Sequence, residues 1–241
     1  MSTVLPYKNK ETGKKEQVAE MFNNISPKYD FLNHFLSFGI DILWRKKAVK
    51  ILKNYHPATI LDIATGTADF AIEALAVKPK KIIGIDISQG MLDFGIAKLK
   101  KRGLDKIISL ELGDSENMRF DSNSFDAVIV SFGVRNFENL KKGLEEIYRV
   151  LKKDGVLIVL EFSKPTSFPF KQFYQFYFRY ILPTLGKIIS KDNSAYTYLP
   201  ESVNAFPNGK AFTDLLDELN YKKTKCKTLT LGVSSIYIGE K

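Results

Sequence analysis

Ile60-Leu61-Asp62-Ile63-Ala64-Thr65-Gly66-Thr67-Ala68-Asp69-Phe70 opens with an apolar run holding a carboxylate. It passes through small residues around one glycine and turns helical at Asp69-Phe70-Ala71-Ile72-Glu73-Ala74-Leu75. The apolar run reads as a buried parallel strand. A strand, a tight turn of small residues and a helix N-terminus in succession make a site for a nucleotide-like ligand. Small side chains let the ligand approach the backbone, and the helix start presents free N–H groups. A second apolar strand, Lys81-Ile82-Ile83-Gly84-Ile85, ends in Asp86, 20 residues beyond Gly66. A carboxylate at that remove can accept hydrogen bonds from both ribose hydroxyls. Together these features specify a ribose-containing cofactor and leave its identity open.

Strands and helices alternate outward from this unit. Ser88 caps a predicted helix from Met91 to Lys101. Strands follow at Lys106–Leu112 and Asp126–Phe132, then a helix at Leu140–Leu151, a turn at Lys152-Lys153-Asp154-Gly155 and a strand at Val156–Phe162. Upstream, Val18, Met21, Phe22 and Ile25 mark a helix stopped by Ser26-Pro27. Asp41 is the expected cap of the next helix, whose buried stripe includes Trp44, Ala48 and Leu52. Residues 1–15 are polar and expected to be mobile. Downstream, a helix at Lys210–Leu219 leads to two strands near Tyr221–Lys227 and Leu229–Gly239, close enough to form an antiparallel pair. The prediction is an α/β fold with a doubly wound, seven-stranded, mostly parallel sheet and right-handed crossovers, in one domain. Within it, residues 16–56 form a helical leader and 57–164 the cofactor-binding core. Residues 165–207 form an inserted helical cap, and 208–241 the last helix and strand pair. In such sheets ligands sit beyond the carboxyl ends of the strands, which gathers Thr67, Asp86, Asp114 and Ser131 about one crevice.

At 241 residues and 44% hydrophobic content the chain can bury a full core. Its formal charge of +9 favours an acidic partner, yet the lysine pairs are scattered (Lys46-Lys47, Lys100-Lys101, Lys222-Lys223) with no block of five. Scattered solvation therefore outweighs a dedicated polyanion groove. Cys226 is the single cysteine, which excludes an internal disulfide and a multi-cysteine metal site; no metal is expected. The lysine-rich start has no signal-peptide core, and no run reaches the ~18 apolar residues of a membrane span. The expectation is a cytoplasmic protein, at most peripheral to a membrane.

Three cofactors compete for the crevice. A dinucleotide turn wants three glycines, whereas this one keeps Gly66 between Ala64 and Ala68. Tyr148 and Lys152 have the spacing of a short-chain dehydrogenase, but they lie at a helix end away from the expected crevice, and packing is the better reading. No Walker Gly-Lys-Ser/Thr follows the first strand. S-adenosylmethionine remains. The first-strand turn, Gly84-Ile85-Asp86-Ile87-Ser88, Gly113-Asp114-Ser115-Glu116, Phe125-Asp126 and Tyr148-Arg149-Val150-Leu151-Lys152 resemble the successive motifs of class I, Rossmann-like methyltransferases. More narrowly, five further blocks resemble the ubiquinone/menaquinone biosynthesis C-methyltransferases. They are Lys28-Tyr29-Asp30-Phe31-Leu32-Asn33, Trp44-Arg45, Ser131-Phe132-Gly133-Val134-Arg135-Asn136, Leu160-Glu161-Phe162-Ser163-Lys164-Pro165 and Tyr198-Leu199-Pro200-Glu201-Ser202. The likeness runs from about Val18 to the C-terminus. Ala68 departs from it, standing where the family more often has glycine.

The resemblance implies S-adenosylmethionine as cofactor and a set of roles. Gly66, Thr67 and the turn backbone would hold its methionine end, Asp86 the ribose, and Asp114 and Ser115 the adenine. Ser131 would lie beneath the sulfonium, and Asp62 would orient the turn. Attack by an aromatic carbon is helped when the neighbouring ring hydroxyl ionises, and a cation stabilises that phenolate. Arg135 is the candidate cation and Asn136 the candidate for the second ring oxygen. Asp69 is a weak candidate for general base; His34 and His56 read as packing or linker residues.

Phe168, Phe170, Phe173, Tyr174, Phe176, Tyr177, Phe178, Tyr180, Ile181 and Leu182 are too many apolar groups for one helical stripe. A prenylated quinol fits that surface, with core packing or a homodimer interface as the competing reading. The expected activity is C-methylation of demethylmenaquinol to menaquinol, with a ubiquinone-pathway benzoquinol as the alternative. A nucleic-acid methyltransferase ranks below both. Base-amino methylation calls for Asn/Asp-Pro-Pro-aromatic where Ser131-Phe132-Gly133 stands, and Cys226 is far from the cofactor strands.

Overall fold

In the computed structural model, which describes residues 4–30, 37, 39–177, 180 and 194–241, β1 (Thr59–Ile63) is an inner strand. It pairs in parallel with β2 (Lys81–Asp86) on one side and β4 (Phe125–Ser131) on the other. β3 (Ile108–Leu112) extends the sheet beyond β2, and β5 (Leu151–Phe162) beyond β4, both in parallel. β7 (Ser234–Glu240) runs antiparallel between β5 and β6 (Lys222–Leu229), giving the order β3-β2-β1-β4-β5-β7-β6. The chain reverses its direction of winding between β1 and β4, so a crevice opens beyond their carboxyl ends.

Central strands must be apolar on both faces, and the period of two divides them cleanly. Leu61, Ile63, Val128, Val130, Leu157 and Val159 face one layer with α5 (Leu140–Val150) and α8 (Lys210–Glu218). Ile60, Ile82, Ala127, Ile129, Ile158 and Leu160 face the other, under α2 (Ile40–Leu52) and α3 (Asp69–Ala74). α4 (Gln89–Arg102) starts at Ser88, whose side chain accepts from Met91 N as expected. α1 (Lys14–Ile25) precedes the sheet, and α6 (Phe170–Phe176) and α7 (Ser194–Ala205) lie between β5 and α8.

Four expectations change. α2 buries Trp44, Ala48 and Leu52, one residue per turn, directly against the sheet; it is part of the core's helical layer. Its cap is Gly39, with φ 72°, whereas Asp41 lies inside the helix and accepts from Arg45 Nη2 at 2.6 Å. The stretch before α1 is tied down. Pro6 is buried, Tyr7 N donates to Gln17 Oε1 at 2.9 Å, and Lys14 and Lys15 begin the helix. Lys152 to Gly155 form no free turn. Leu151 pairs with Phe125 and Val156 with Ala127, so these residues bulge outward from a continuous strand.

Candidate active site

The turn after β1 places Ala64, Gly66 and Ala68 in the left-handed region, with φ of 53°, 55° and 71°. Glycine relieves that strain at position 66; the two alanines bear it. Hydrogen bonds hold the turn from beneath. Asp62, 1% exposed, accepts from Thr65 Oγ1 at 2.7 Å and Ala71 N at 3.1 Å through one carboxylate oxygen. Asp86 accepts from Gly66 N at 2.8 Å and Ser88 N at 2.9 Å, so the ends of β1 and β2 are locked together. Burial pushes Asp62 up to about 7, against the opposing hydrogen bonds from Thr65 and Ala71, and pushes Asp86 upward as well. Gly133, after β4, must lack a side chain, since a Cβ there would lie 2.5 Å from that of Ala64.

A polar crevice opens above this turn. Gly66, Asp86, Asp114, Ser115, Ser131 and Asn136 line it, all proposed from the sequence, together with Lys15, Val18, Phe22, Tyr29, Met91, Phe132 and Phe137. Ser131 Oγ and Asn136 Oδ1 are fully buried there without a hydrogen-bond partner, as is Asp62 Oδ1 beneath the turn. Asp114 accepts from Lys15 Nζ at 2.7 Å and from Glu116 N at 2.9 Å. Lys14 Nζ donates to the Phe137 carbonyl at 2.7 Å, and burial lowers its pKa. The N-terminal lysines thus fasten α1 over the crevice.

Thr67 and Asp62 do not line it. The Thr67 hydroxyl is turned to Asp30 and accepts from Lys98 Nζ at 3.0 Å, so only its backbone borders the turn. Asp69 pairs with Lys98 at 2.9 Å and Arg45 at 3.6 Å behind the turn, outside both cavities. His56 precedes β1, at the opposite end of the strands. Tyr148 stacks edge-on against Tyr221, and Lys152 pairs with Asp126 at 2.8 Å, away from the site. His34 lies outside the described residues, as do Phe178, Ile181 and Leu182 of the apolar segment.

A second cavity, of about 400 Å³, adjoins the first. Phe22, Tyr29 and Phe132 line both. Its remaining wall is mostly apolar: Trp44, Phe162, Phe170, Phe173, Leu199 and Val233. Its polar groups are Ser37, Thr230, the Asp41–Arg45 pair, Arg135, and the tyrosines Tyr174, Tyr177 and Tyr198. Arg135 stands in a short 3-10 turn, Val134–Asn136, and lies over the Phe162 ring. It donates to Glu161 Oε1 at 2.7 Å and to the Phe132 carbonyl. Glu161 is wholly buried. Burial pushes its carboxyl up, and the Arg135 charge opposes that shift. Asn136, expected beside Arg135 at the ring, opens instead onto the polar crevice, because successive residues of the 3-10 turn face different ways. Glu161 was visible in the sequence as one carboxylate in an apolar strand, and Tyr198 stood at the head of a family-like block with no role assigned to it; Lys15 had no local signal.

The crevice suits a nucleoside sulfonium. The carboxylates of Asp86, Asp114, Glu116 and Glu138 border it, small residues and glycine expose the turn backbone, and two buried polar atoms in it, Ser131 Oγ and Asn136 Oδ1, await partners. Among the described residues there is no cluster of His, Cys, Asp or Glu able to hold a metal ion.

The comparisons agree with this geometry. The model of the ubiE/COQ5 methyltransferase family matches residues 10–241. A Bacteroides fragilis protein named demethylmenaquinone methyltransferase is 47% identical over 99% of this chain and 97% of its own length. A Porphyromonas gingivalis protein of the same name is 43% identical over 99% and 98%. The Geotalea daltonii ubiquinone/menaquinone biosynthesis C-methyltransferase UbiE is 44% identical over 96% and 99%. Among solved structures, a SAM-dependent methyltransferase from Thermotoga maritima superimposes with a TM-score of 0.63 at 20% identity, covering 92% of this chain and 99% of that one. One from Aquifex aeolicus gives 0.58 at 16%, covering 80% and 88%. The solved structures establish the class I methyltransferase fold.

Proposed function

The chain belongs to the ubiE/COQ5 methyltransferase family, and from that premise we propose that it methylates a ring carbon of a prenylated hydroquinone, converting demethylmenaquinol to menaquinol. The names of its 47% and 43% identical relatives support the naphthoquinol ring. The observation that carries the reading is the pair of adjoining cavities, one bordered by carboxylates and unanswered hydrogen-bonding atoms, the other mostly apolar with Arg135 and the Asp41–Arg45 pair as its buried charges.

S-adenosylmethionine, when bound, supplies an electrophilic methyl group on a sulfonium. In this reading Asp86 receives the ribose hydroxyls, and Asp114 and Ser115 meet the adenine. The Gly66 and Thr67 backbone with Ser131 borders the methionine end, and Asp62 supports the turn from below. Asn136, through its free oxygen, is assigned to the cofactor. Arg135 sits where a ring oxygen gains negative charge, and its guanidinium stabilises that charge in a cavity whose apolar walls exclude water. The main contribution of the fold is alignment of the two ligands across the wall of Phe22, Tyr29 and Phe132. α1 of the leader, with α6 and α7 of the insertion, acts as a cover on the core (57–164) within one domain, while α2 belongs to the helical layer of that core.

The isoprenoid tail must leave the cavity. Phe170, Phe173 and Leu231 line it while being 39%, 68% and 59% exposed, which marks its mouth. Exposed Phe168 and Phe176, with Lys171, continue that rim, and it meets an anionic membrane surface in this proposal. No described helix is long and apolar enough to cross a membrane.

The purified protein, given the donor and a short-tailed demethylmenaquinol under reducing conditions, yields the singly methylated ring by mass spectrometry. It turns over the matching benzoquinol more slowly. Absence of methylated naphthoquinol overturns the reading, and faster benzoquinol turnover replaces its substrate.

A further inference from the structure

The apolar cavity contains two polar groups that the protein leaves unanswered. Arg135 Nε is buried without a partner, and so is the hydroxyl of Tyr198, a residue only 2% exposed. The Tyr198 side chain packs with Val18 and Met21 of α1, which holds it in place on the cavity wall. α7, which carries it, packs against the 3-10 turn that carries Arg135. Arg135 and Tyr198 both line the cavity, and the charge of Arg135 acts on the Tyr198 phenol while that of the buried Glu161 opposes it. A hydroxyl withdrawn from water without a new partner is destabilising, and such an arrangement persists where a ligand completes it. Asn136, the other candidate for a ring oxygen, faces the polar crevice.

We propose that Tyr198 donates a hydrogen bond to the same substrate ring oxygen that Arg135 holds, so that the two form a two-donor pocket for the developing phenolate. This rests on the quinol reading above. One donor is charged and one neutral. Burial holds the Tyr198 phenol well above its usual range, so it keeps its proton across working pH and acts only as a donor. Two donors aimed at one oxygen favour its ionised form, and a charge-rich oxygen ortho to the accepting carbon raises the nucleophilicity of that carbon.

Tyr198→Phe removes one oxygen atom and keeps the ring that α1 packs against. The expected result is a kcat/KM for the quinol lowered by about tenfold to a hundredfold, with cofactor affinity by calorimetry unchanged. The acid limb of the kcat profile moves to higher pH, because the bound ring hydroxyl has become a weaker acid. A kcat/KM equal to wild type overturns the assignment, and so does a loss with the acid limb unmoved, which marks a packing role. Titration of bound 1-naphthol by absorbance tests the pocket independently of turnover. The wild type lowers the pH at which the probe ionises, and Tyr198→Phe lowers it less. Equal titrations in the two proteins overturn the proposal. If the naphthol titrations differ as stated but no quinol is methylated, the substrate reading has failed and the donor pocket stands.

Discussion

Asp62 is the residue on which the turn rests, and its environment makes it sensitive to pH. Its carboxyl is buried, receives two hydrogen bonds on one oxygen and none on the other, and is pushed up to about 7. The unfolded chain holds that proton only below the ordinary carboxylate range, near 4. Folded protein therefore binds the proton more tightly than unfolded protein, and stability falls as pH rises through that interval, then levels out. The loss assigned to this group between pH 4 and 7 is on the order of 4 kcal/mol. Asp86 and Glu161 are shifted the same way by burial and add to the trend. Asp62→Asn keeps an acceptor for Thr65 and Ala71 and cannot ionise. Urea unfolding at pH 5 and pH 8 should show a smaller stability difference in this variant than in wild type. An identical difference in both would show that Asp62 does not titrate in this window.

At the scale of the element, the C-terminal end of β5 and the 3-10 segment after β4 are joined by the Glu161–Arg135 pair. Glu161 is fully buried and the Arg135 side chain is 8% exposed, so solvent screens this pair little. Removing one partner of such a pair strands the other charge, a loss of about 3–5 kcal/mol, whereas removing both leaves no stranded charge. Glu161→Gln should destabilise the protein by roughly 3 kcal/mol and free the guanidinium from its fixed direction. Glu161→Met combined with Arg135→Met should cost clearly less than the two single changes summed. Strict additivity in denaturant unfolding would mean that the pair is not coupled. The same join explains why a charged residue is tolerated in an otherwise apolar strand: its carboxylate also accepts from Phe162 N at 2.8 Å.

At the scale of the molecule, the apolar rim and the net charge of +9 act together. Phe168 and Phe176, 80% and 57% exposed, border the mouth without lining the cavity. Changing both to serine should leave turnover of a short-tailed quinol in detergent unaltered and lower sedimentation with anionic vesicles several-fold. Vesicle binding equal to wild type would sink the membrane assignment. A change in sedimentation coefficient, with vesicle binding intact, would assign the rim to a second copy of this chain. Added salt should weaken the vesicle contact of the wild type, since exposed charges are screened within about 10 Å at 0.1 M.

The chain's own residue pattern determined the sheet, its crossovers and the position of the cofactor turn. Strand period, helix spacing and the small residues around Gly66 are local properties, and they carry the same meaning wherever the chain runs. Asp86 and Ser131 were legible for that reason: each ends an apolar strand. Tertiary structure alone decided where neighbours on a short turn look. Asn136 faces one cavity and Arg135 the next, the Thr67 hydroxyl leaves the crevice for Asp30, and Lys15, from a stretch that reads as solvent-exposed, reaches Asp114. These contacts join residues far apart in sequence, as Lys15 and Asp114 or Thr67 and Asp30 are. Direction and burial of a side chain follow from what packs against it, and no spacing along the chain encodes that.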